Sequence, residues 1–233
     1  LHLVTKPKLI APFETKLYEA AAAEVLENYK GSQPEVIVDV GAHIGAVSLM
    51  FGSNGSEFIA AVEPDVDNFR CLLEGIQVNN CMGRILPIPV AITNNSFDKV
   101  YLYKGSNNSG ERGLKYDPKR FAIANITLTM SLNDLLIPII KRFGAIDFLK
   151  IDIEGGEWEI LTPSNTLTDL LSKVKYIDVE CHPLNDPDYF STKTIPGSIS
   201  EMATYLNETG FAVSEDKGHR TVSHLAGFNK KIV

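Results

Sequence analysis

Two groups of residues in this chain have the types and spacing to do chemistry. The first is the run Val-Ile-Val-Asp39-Val-Gly41-Ala42-His43-Ile-Gly45, in which a β-branched segment breaks on glycine and continues into an apolar stretch. Gly41 lets a backbone turn with little side-chain obstruction, and Gly45 lets a strand and the following helix pack closely. The amides between them present donors to an anionic group of a ligand. A ligand-free strand-to-helix turn would carry the same glycines. Glu63 follows Gly45 by 18 residues and is expected to close a second strand, where a carboxylate can accept from ribose hydroxyls. Pro64 after it suits the first position of a helix. The second group is Lys150, Asp152 and Glu154, whose spacing of two puts them on one face of a strand. Glu180 and His182 end a later strand, and adjacent strands lie only about 4.8 Å apart. Ionised groups are costly to bury unpaired, which places Asp152 and Glu154 at the strand end.

The kind of ligand follows from what the glycine turn lacks. A dinucleotide fingerprint needs glycine at its first, third and sixth places for the pyrophosphate. Here the third is His43 and the sixth Ala46, and an acid precedes the first glycine by two, giving D-x-G-x-x-x-G. S-adenosyl-L-methionine has no phosphate and carries a sulfonium and an ammonium, so it favours carboxylates over such a cradle. Asp39 is expected to supply one, Glu63 to hold the ribose, and Ala91 and Ile92 to line the adenine. Methyl transfer to a hydroxyl then requires alignment and removal of a proton. His182 is the candidate base, since its ordinary pKa of about 6.5 leaves it mostly neutral at pH 7. A structural histidine ahead of Pro183 reads the same way. Asp152 would orient the acceptor or face the methionine ammonium. Glu154 and Glu157 also suit the first turn of a helix beginning near Gly156, and Lys150 reads as an internal ion-pair partner. Asp152, Glu180 and His182 could hold a divalent cation, but that donor set suits magnesium or manganese less well than oxygens alone. A metal is therefore open and not favoured.

These groups need elements to position them. A helix is expected over Phe13 to Tyr29, then strands at Val36 to Val40, Phe58 to Glu63, Arg84 to Val90, Ile146 to Ile153 and Lys175 to Cys181. Helices are expected from Ala46 to Phe51, after Pro64, at Gly156 to Leu161, Leu167 to Ser172 and Ile199 to Thr209. Between them, Lys99 to Tyr103 and Ile123 to Met130 read as β segments flanking a polar loop at Gly105 to Pro118. Phe211 to Val213 and Thr221 to Phe228 read as a closing hairpin around Asp216 to Gly218. Strands alternating with helices give an α/β three-layer sandwich with a mostly parallel sheet, its carboxyl ends gathered on one edge. No repeat or low-complexity linker divides it, so one domain is expected over residues 1–233 with an N-terminal helical extension to about residue 33. Lys plus Arg number 22 and Asp plus Glu 29. That acidic balance argues against nucleic acid or an anionic membrane as partner. Cys71, Cys81 and Cys181 show no metal or redox spacing, which fits reduced thiols in the cytoplasm. Whether the chain forms a homo-oligomer is open.

The segments VIVDVGAHIGAVSL, AAVEPDVDNFRCLLEGIQVNN, LPIPVAIT, FLKIDIEGGEWEIL and KYIDVECHP together resemble a class I S-adenosylmethionine-dependent methyltransferase, and more narrowly the FkbM family. The run from Lys150 to Glu157 is the family-specific part. His43 stands where that family often has asparagine. The resemblance implies a Rossmann-like, seven-stranded sheet with an antiparallel C-terminal strand, and transfer of the sulfonium methyl to an oxygen of a small-molecule or glycan acceptor. It does not cover the N-terminal helix or the Gly105 to Pro118 loop, where acceptor selection is expected. Two other readings remain: a nicotinamide-dependent oxidoreductase, against which the missing third glycine argues, and a cofactor-binding module without turnover.

Overall fold

The computed structural model describes residues 33–105, 112–114, 121–182, 198–216 and 223–232. The expected helix at Phe13 to Tyr29 and most of the Gly105 to Pro118 stretch lie outside them. The chain order is β1 (Val36–Val40), α1 (Ala46–Ser53), β2 (Phe58–Val62), α2 (Val66–Val78), β3 (Ile85–Ile88), β4 (Val90–Thr93), β5 (Lys99–Gly105), β6 (Arg112–Gly113) and β7 (Phe121–Ser131). It continues with α3 (Leu132–Phe143), β8 (Ile146–Ile151), α4 (Glu157–Ile160), α5 (Asn165–Leu171), β9 (Val174–Cys181), α6 (Ile199–Thr209), β10 (Phe211–Asp216) and β11 (Ser223–Asn229). Seven strands form one sheet in the order β10-β11-β9-β8-β1-β2-β3. β8, β1, β2, β3 and β9 pair in parallel, whereas β11 runs antiparallel to both β10 and β9. This is the Rossmann-like sheet with an antiparallel C-terminal strand.

Every residue of β1 is buried, because alternate side chains feed two cores. Val36, Val38 and Val40 pack with Leu136 of α3, Leu171 of α5 and Leu206 of α6. Ile37 points the other way and joins Leu49 of α1 and Leu72 of α2. Truncating any of these leucines to alanine leaves a cavity that costs about 2–5 kcal/mol.

Three features differ from expectation. The third strand breaks at Pro89, which has no amide to continue a ladder: β3 stays in the main sheet and β4 leaves it. β4 pairs in parallel with β7, and β7 in turn pairs antiparallel with β5, so the two middle β segments build a second sheet in the order β4-β7-β5-β6. Part of the polar loop is itself a strand, β6, paired with β5. Finally, α3 has no counterpart among the expected elements. Pro138 lies inside it, and a proline normally argues against a helix interior. Its start is capped by the Ser131 hydroxyl, which accepts from the Asp134 amide at 3.1 Å, and Leu132, Leu135, Leu136 and Ile139 bury its apolar face. No helix among the described residues is long and apolar enough to cross a membrane.

Candidate functional site

The glycine turn is fastened to the ends of two neighbouring strands. Gly41, at φ 81°, and Ala42 both donate to the Val62 carbonyl, at 3.0 and 2.8 Å. A Cβ at Gly41 would sit 1.7 Å from the Asp152 carbonyl oxygen, so glycine is required where β8 ends against the turn. His43 follows at φ 53° and donates its amide to Glu63 Oε2 at 2.9 Å. At Gly45, φ 91°, a Cβ would meet Leu72 at 2.5 Å, as expected for close strand-helix packing. Glu63 lies just past β2, nearly buried, and its other oxygen accepts from the Asp65 amide at 2.8 Å. Burial outweighs these amides and pushes its pKa up to about 7. A carboxylate offers about four acceptor sites; three are used, counting Asn68 Nδ2 at 3.4 Å. An adenosine-bearing cofactor fits this arrangement, with small residues along the turn and a carboxylate with acceptor capacity at its ribose end.

Four more of the expected cofactor residues have the following surroundings. Asp39 is fully buried; one of its oxygens accepts from Ser48 Oγ at 2.6 Å and the other faces Lys150 Nζ at 3.6 Å. Its carboxylate is therefore closed to a ligand, because β1 is covered on both faces. Pro64 does not open α2. Asp65 is the cap of that helix, accepting from the Asp67 and Asn68 amides, and the Pro64 carbonyl instead accepts from Asn125 Nδ2 of β7 at 3.1 Å. Ala91 and Ile92 are buried in β4, within the second sheet.

The polar cluster assembles beside this turn. Lys150 donates to the Gly41 carbonyl and to Asp152, each at 3.2 Å, and with Asp39 it forms the internal ion pair expected of it. Burial works against its charge, but Asp152, Asp39 and Glu180 raise its pKa. Burial also works against the charge on Asp152, yet Lys150 and His182 hold its pKa below the ordinary value. β8 ends at Ile151, so Asp152 lies just past it and Glu154 further on at φ 55°, and the three expected residues do not share one strand face. Glu157 is fully buried and accepts from the Ile153 amide at 2.8 Å and the Gly155 amide at 2.9 Å, which fixes the turn into α4. It also accepts from His182 Nδ1 at 3.1 Å.

His182 thus turns Nε2 toward Glu154 at 3.5 Å, Glu180 at 3.7 Å and Asp152 at 4.0 Å. The Trp158 indole donates to its carbonyl at 2.7 Å. Burial disfavours the imidazolium, but the hydrogen bond and charge of Glu157, then Glu154 and Asp152, push the pKa up to about 10. The expectation of a neutral His182 at pH 7 therefore fails, because four carboxylates surround the ring. Burial, with help from neighbouring carboxylates and against His182, pushes Glu154 up to about 8 and Glu180 to about 7.

Asp152, Glu180 and His182 can each bring one ligand atom within 4.8 Å of the others. They are the set singled out for a divalent cation, and the charge on His182 holds the same set together without one. His224 has no ligand spacing along the chain and reads as a hairpin residue, which it is, but the fold also brings it beside the cluster. β11 pairs it with Glu180, putting its Nε2 3.9 Å from that carboxylate and Nδ1 3.6 Å from Asp178. Only the strand register, which spacing along the chain does not reveal, would have identified it.

A family model described as "Methyltransferase FkbM domain" matches residues 39–213. Among solved structures, the chain is similar to EvdMO1 at 14% identity and a TM-score of 0.51, over 91% of this chain and 41% of that one; it thus spans less than half of that protein. It is similar to a human methyltransferase 10 domain containing protein at 13% identity and a TM-score of 0.50, over 95% and 87% of the two chains. It is also similar to magnesium protoporphyrin IX methyltransferase from Synechocystis PCC 6803, with bound SAM, at 11% identity and a TM-score of 0.49, over 93% and 79%. Likeness at such identities concerns the fold. No curated protein matches the chain in sequence.

Proposed function

The chain belongs to the FkbM methyltransferase family, whose cofactor is S-adenosyl-L-methionine, and on that premise we propose that it methylates a hydroxyl oxygen of a small molecule or glycan. The nicotinamide alternative falls away with the family. The bound cofactor supplies a methyl carbon activated by its sulfonium, which leaves the protein to align the acceptor and remove a proton. The amides of Gly41, Ala42, His43 and Gly45 are taken up inside the turn, so the small residues of the turn give the nucleoside room and the Glu63 carboxylate, with acceptor capacity left, holds it. Asp152, ionised and fixed by Lys150, orients the acceptor hydroxyl. Glu180, with a pKa of about 7, is partly ionised at neutral pH and takes the proton on its carboxylate. Glu154, at about 8, keeps its own proton and donates a hydrogen bond to the acceptor. His182, as imidazolium, keeps these carboxylates together and is not the base. The three free, buried thiols fit a reducing, cytoplasmic setting.

The observation carrying this reading is the gathering of Asp152, Glu154 and Glu180 within 4.0 Å of His182 Nε2, with the Asp152 backbone packed directly against the Gly41 turn. The test is release of S-adenosylhomocysteine from purified protein offered a panel of hydroxylated small molecules and glycans. Glu180→Gln should lower kcat by roughly 100-fold or more, the usual scale of a lost general base. It should leave affinity for S-adenosylhomocysteine within about twofold and remove the acid limb near pH 7 from the rate profile. Methylation found on nitrogen or carbon, or full turnover by Glu180→Gln, would reject the proposal.

A further inference from the structure

The second sheet turns an apolar face to solvent. Along β5 and β7 the side chains alternate: Leu102, Thr127 and Thr129 are buried against the body, while Tyr101, Ile123, Ile126 and Leu128 are 52%, 58%, 60% and 51% exposed. Tyr103, on the same side as Tyr101, is half-buried with its ring centroid 6.4 Å from that of Tyr101. The register sets Tyr101 opposite Ile126 and Tyr103 opposite Ile123, so one row is aromatic and the other aliphatic. A polar outer face is the usual condition for a sheet with one side in water. Taking aromatic side chains at about 150–250 Å², these five residues expose roughly 400 Å² of apolar surface. That lies within the roughly 300–600 Å² of the largest patch on a typical monomer, which is often functional.

We infer that this face is the centre of a two-fold dimer interface between copies of this chain. A stable interface takes about 800 Å² from each partner, so the patch supplies about half, and the remainder falls to a polar rim that includes exposed Lys99. The pattern is self-complementary. A two-fold axis running along the strands, midway between two facing sheets, lays β5 of one copy over β7 of the other. Each tyrosine row then meets an aliphatic row, in the aligned packing that sheets prefer. The opposite face of β7 sends Asn125 to the Pro64 carbonyl, so the dimer backs the loop behind Glu63.

Light scattering after size exclusion, on the full chain from about 1 to 100 µM, tests this. Wild type should run at twice the 25.6 kDa chain mass. Ile126→Glu should run at the single-chain mass, with its dissociation constant raised at least about 100-fold, as expected for a central interface residue. Its affinity for S-adenosylhomocysteine should be unchanged, which shows that it is folded. Leu128→Lys serves as a second variant should the first aggregate. The inference is overturned by wild type that stays monomeric throughout, or by variants that remain dimeric. Monomeric wild type that sediments with phosphatidylserine vesicles also overturns it and gives the face to a lipid surface.

Discussion

Replacing Glu157 with glutamine removes one negative charge from beside His182 and keeps an oxygen that can still accept the Gly155 and Ile153 amides. In the wild type, Nδ1 donates to Glu157 at 3.1 Å and Nε2 lies 3.5 to 4.0 Å from three more carboxylates, with a pKa of about 10. A hydrogen bond to a charged group contributes about 1.5–3 kcal/mol, and one pKa unit corresponds to 1.36 kcal/mol. Glu157→Gln should therefore lower the His182 pKa by about one to two units, leaving the ring still charged at pH 7. The assay is a nitrogen-proton NMR titration of the imidazole from pH 5 to 11, assigned with a His182→Asn control. Affinity for S-adenosylhomocysteine checks that the variant is folded. A wild-type His182 titrating near 6.5 would refute the reasoning and restore a neutral imidazole as the base. An unshifted pKa in Glu157→Gln would show that the other carboxylates hold the charge without it.

Glu63→Ala should weaken S-adenosylhomocysteine binding by roughly tenfold or more in calorimetry, the worth of at least one charged hydrogen bond; a change of twofold or less would reject Glu63 as a ribose contact. Gly41→Ala and Gly55→Ala form a matched pair, since both positions have positive φ but only Gly41 faces backbone within 2 Å, and nothing lies within 4 Å of a Cβ at Gly55. Urea denaturation should show Gly55→Ala losing about 1–2 kcal/mol to left-handed strain and Gly41→Ala clearly more; equal losses would contradict the close approach of β8. Thermal stability should fall as pH rises from about 5 to 10. Glu63 and Glu180 move from 4.5 to about 7, Glu154 from 4.5 to about 8 and His182 from 6.5 to about 10, so the folded chain binds more protons than the unfolded one across that window. The stabilisation from each is complete below its unfolded pKa and lost as pH passes its folded one. A melting temperature that rises between pH 6 and 9 would overturn this.

The sequence by itself determined the elements whose signals are local. β1, β8 and β9 are runs rich in apolar residues and interrupted by single charges, the Gly41 to Gly45 turn is marked by its glycines, and α6 begins at a serine cap and ends at Gly210. Glu63 and the Lys150 to Glu157 run could be located because strand ends in a parallel sheet fall on one edge. The tertiary structure alone decided the rest. Pro89 divides one expected strand between two sheets, and Pro138 hides α3, whose helix is held by its buried face. Asp39 reads as open to a ligand until both faces of its strand are covered. His182 reads as neutral until Glu157, Glu154, Glu180 and Asp152 are brought around it from α4, from the turn after β8 and from β9, and His224 comes beside Glu180 only through the register of β11. Local backbone preference and hydrophobic period are written along the chain, whereas burial and the field at an ionisable group are sums over neighbours distant in sequence, which exist only after folding.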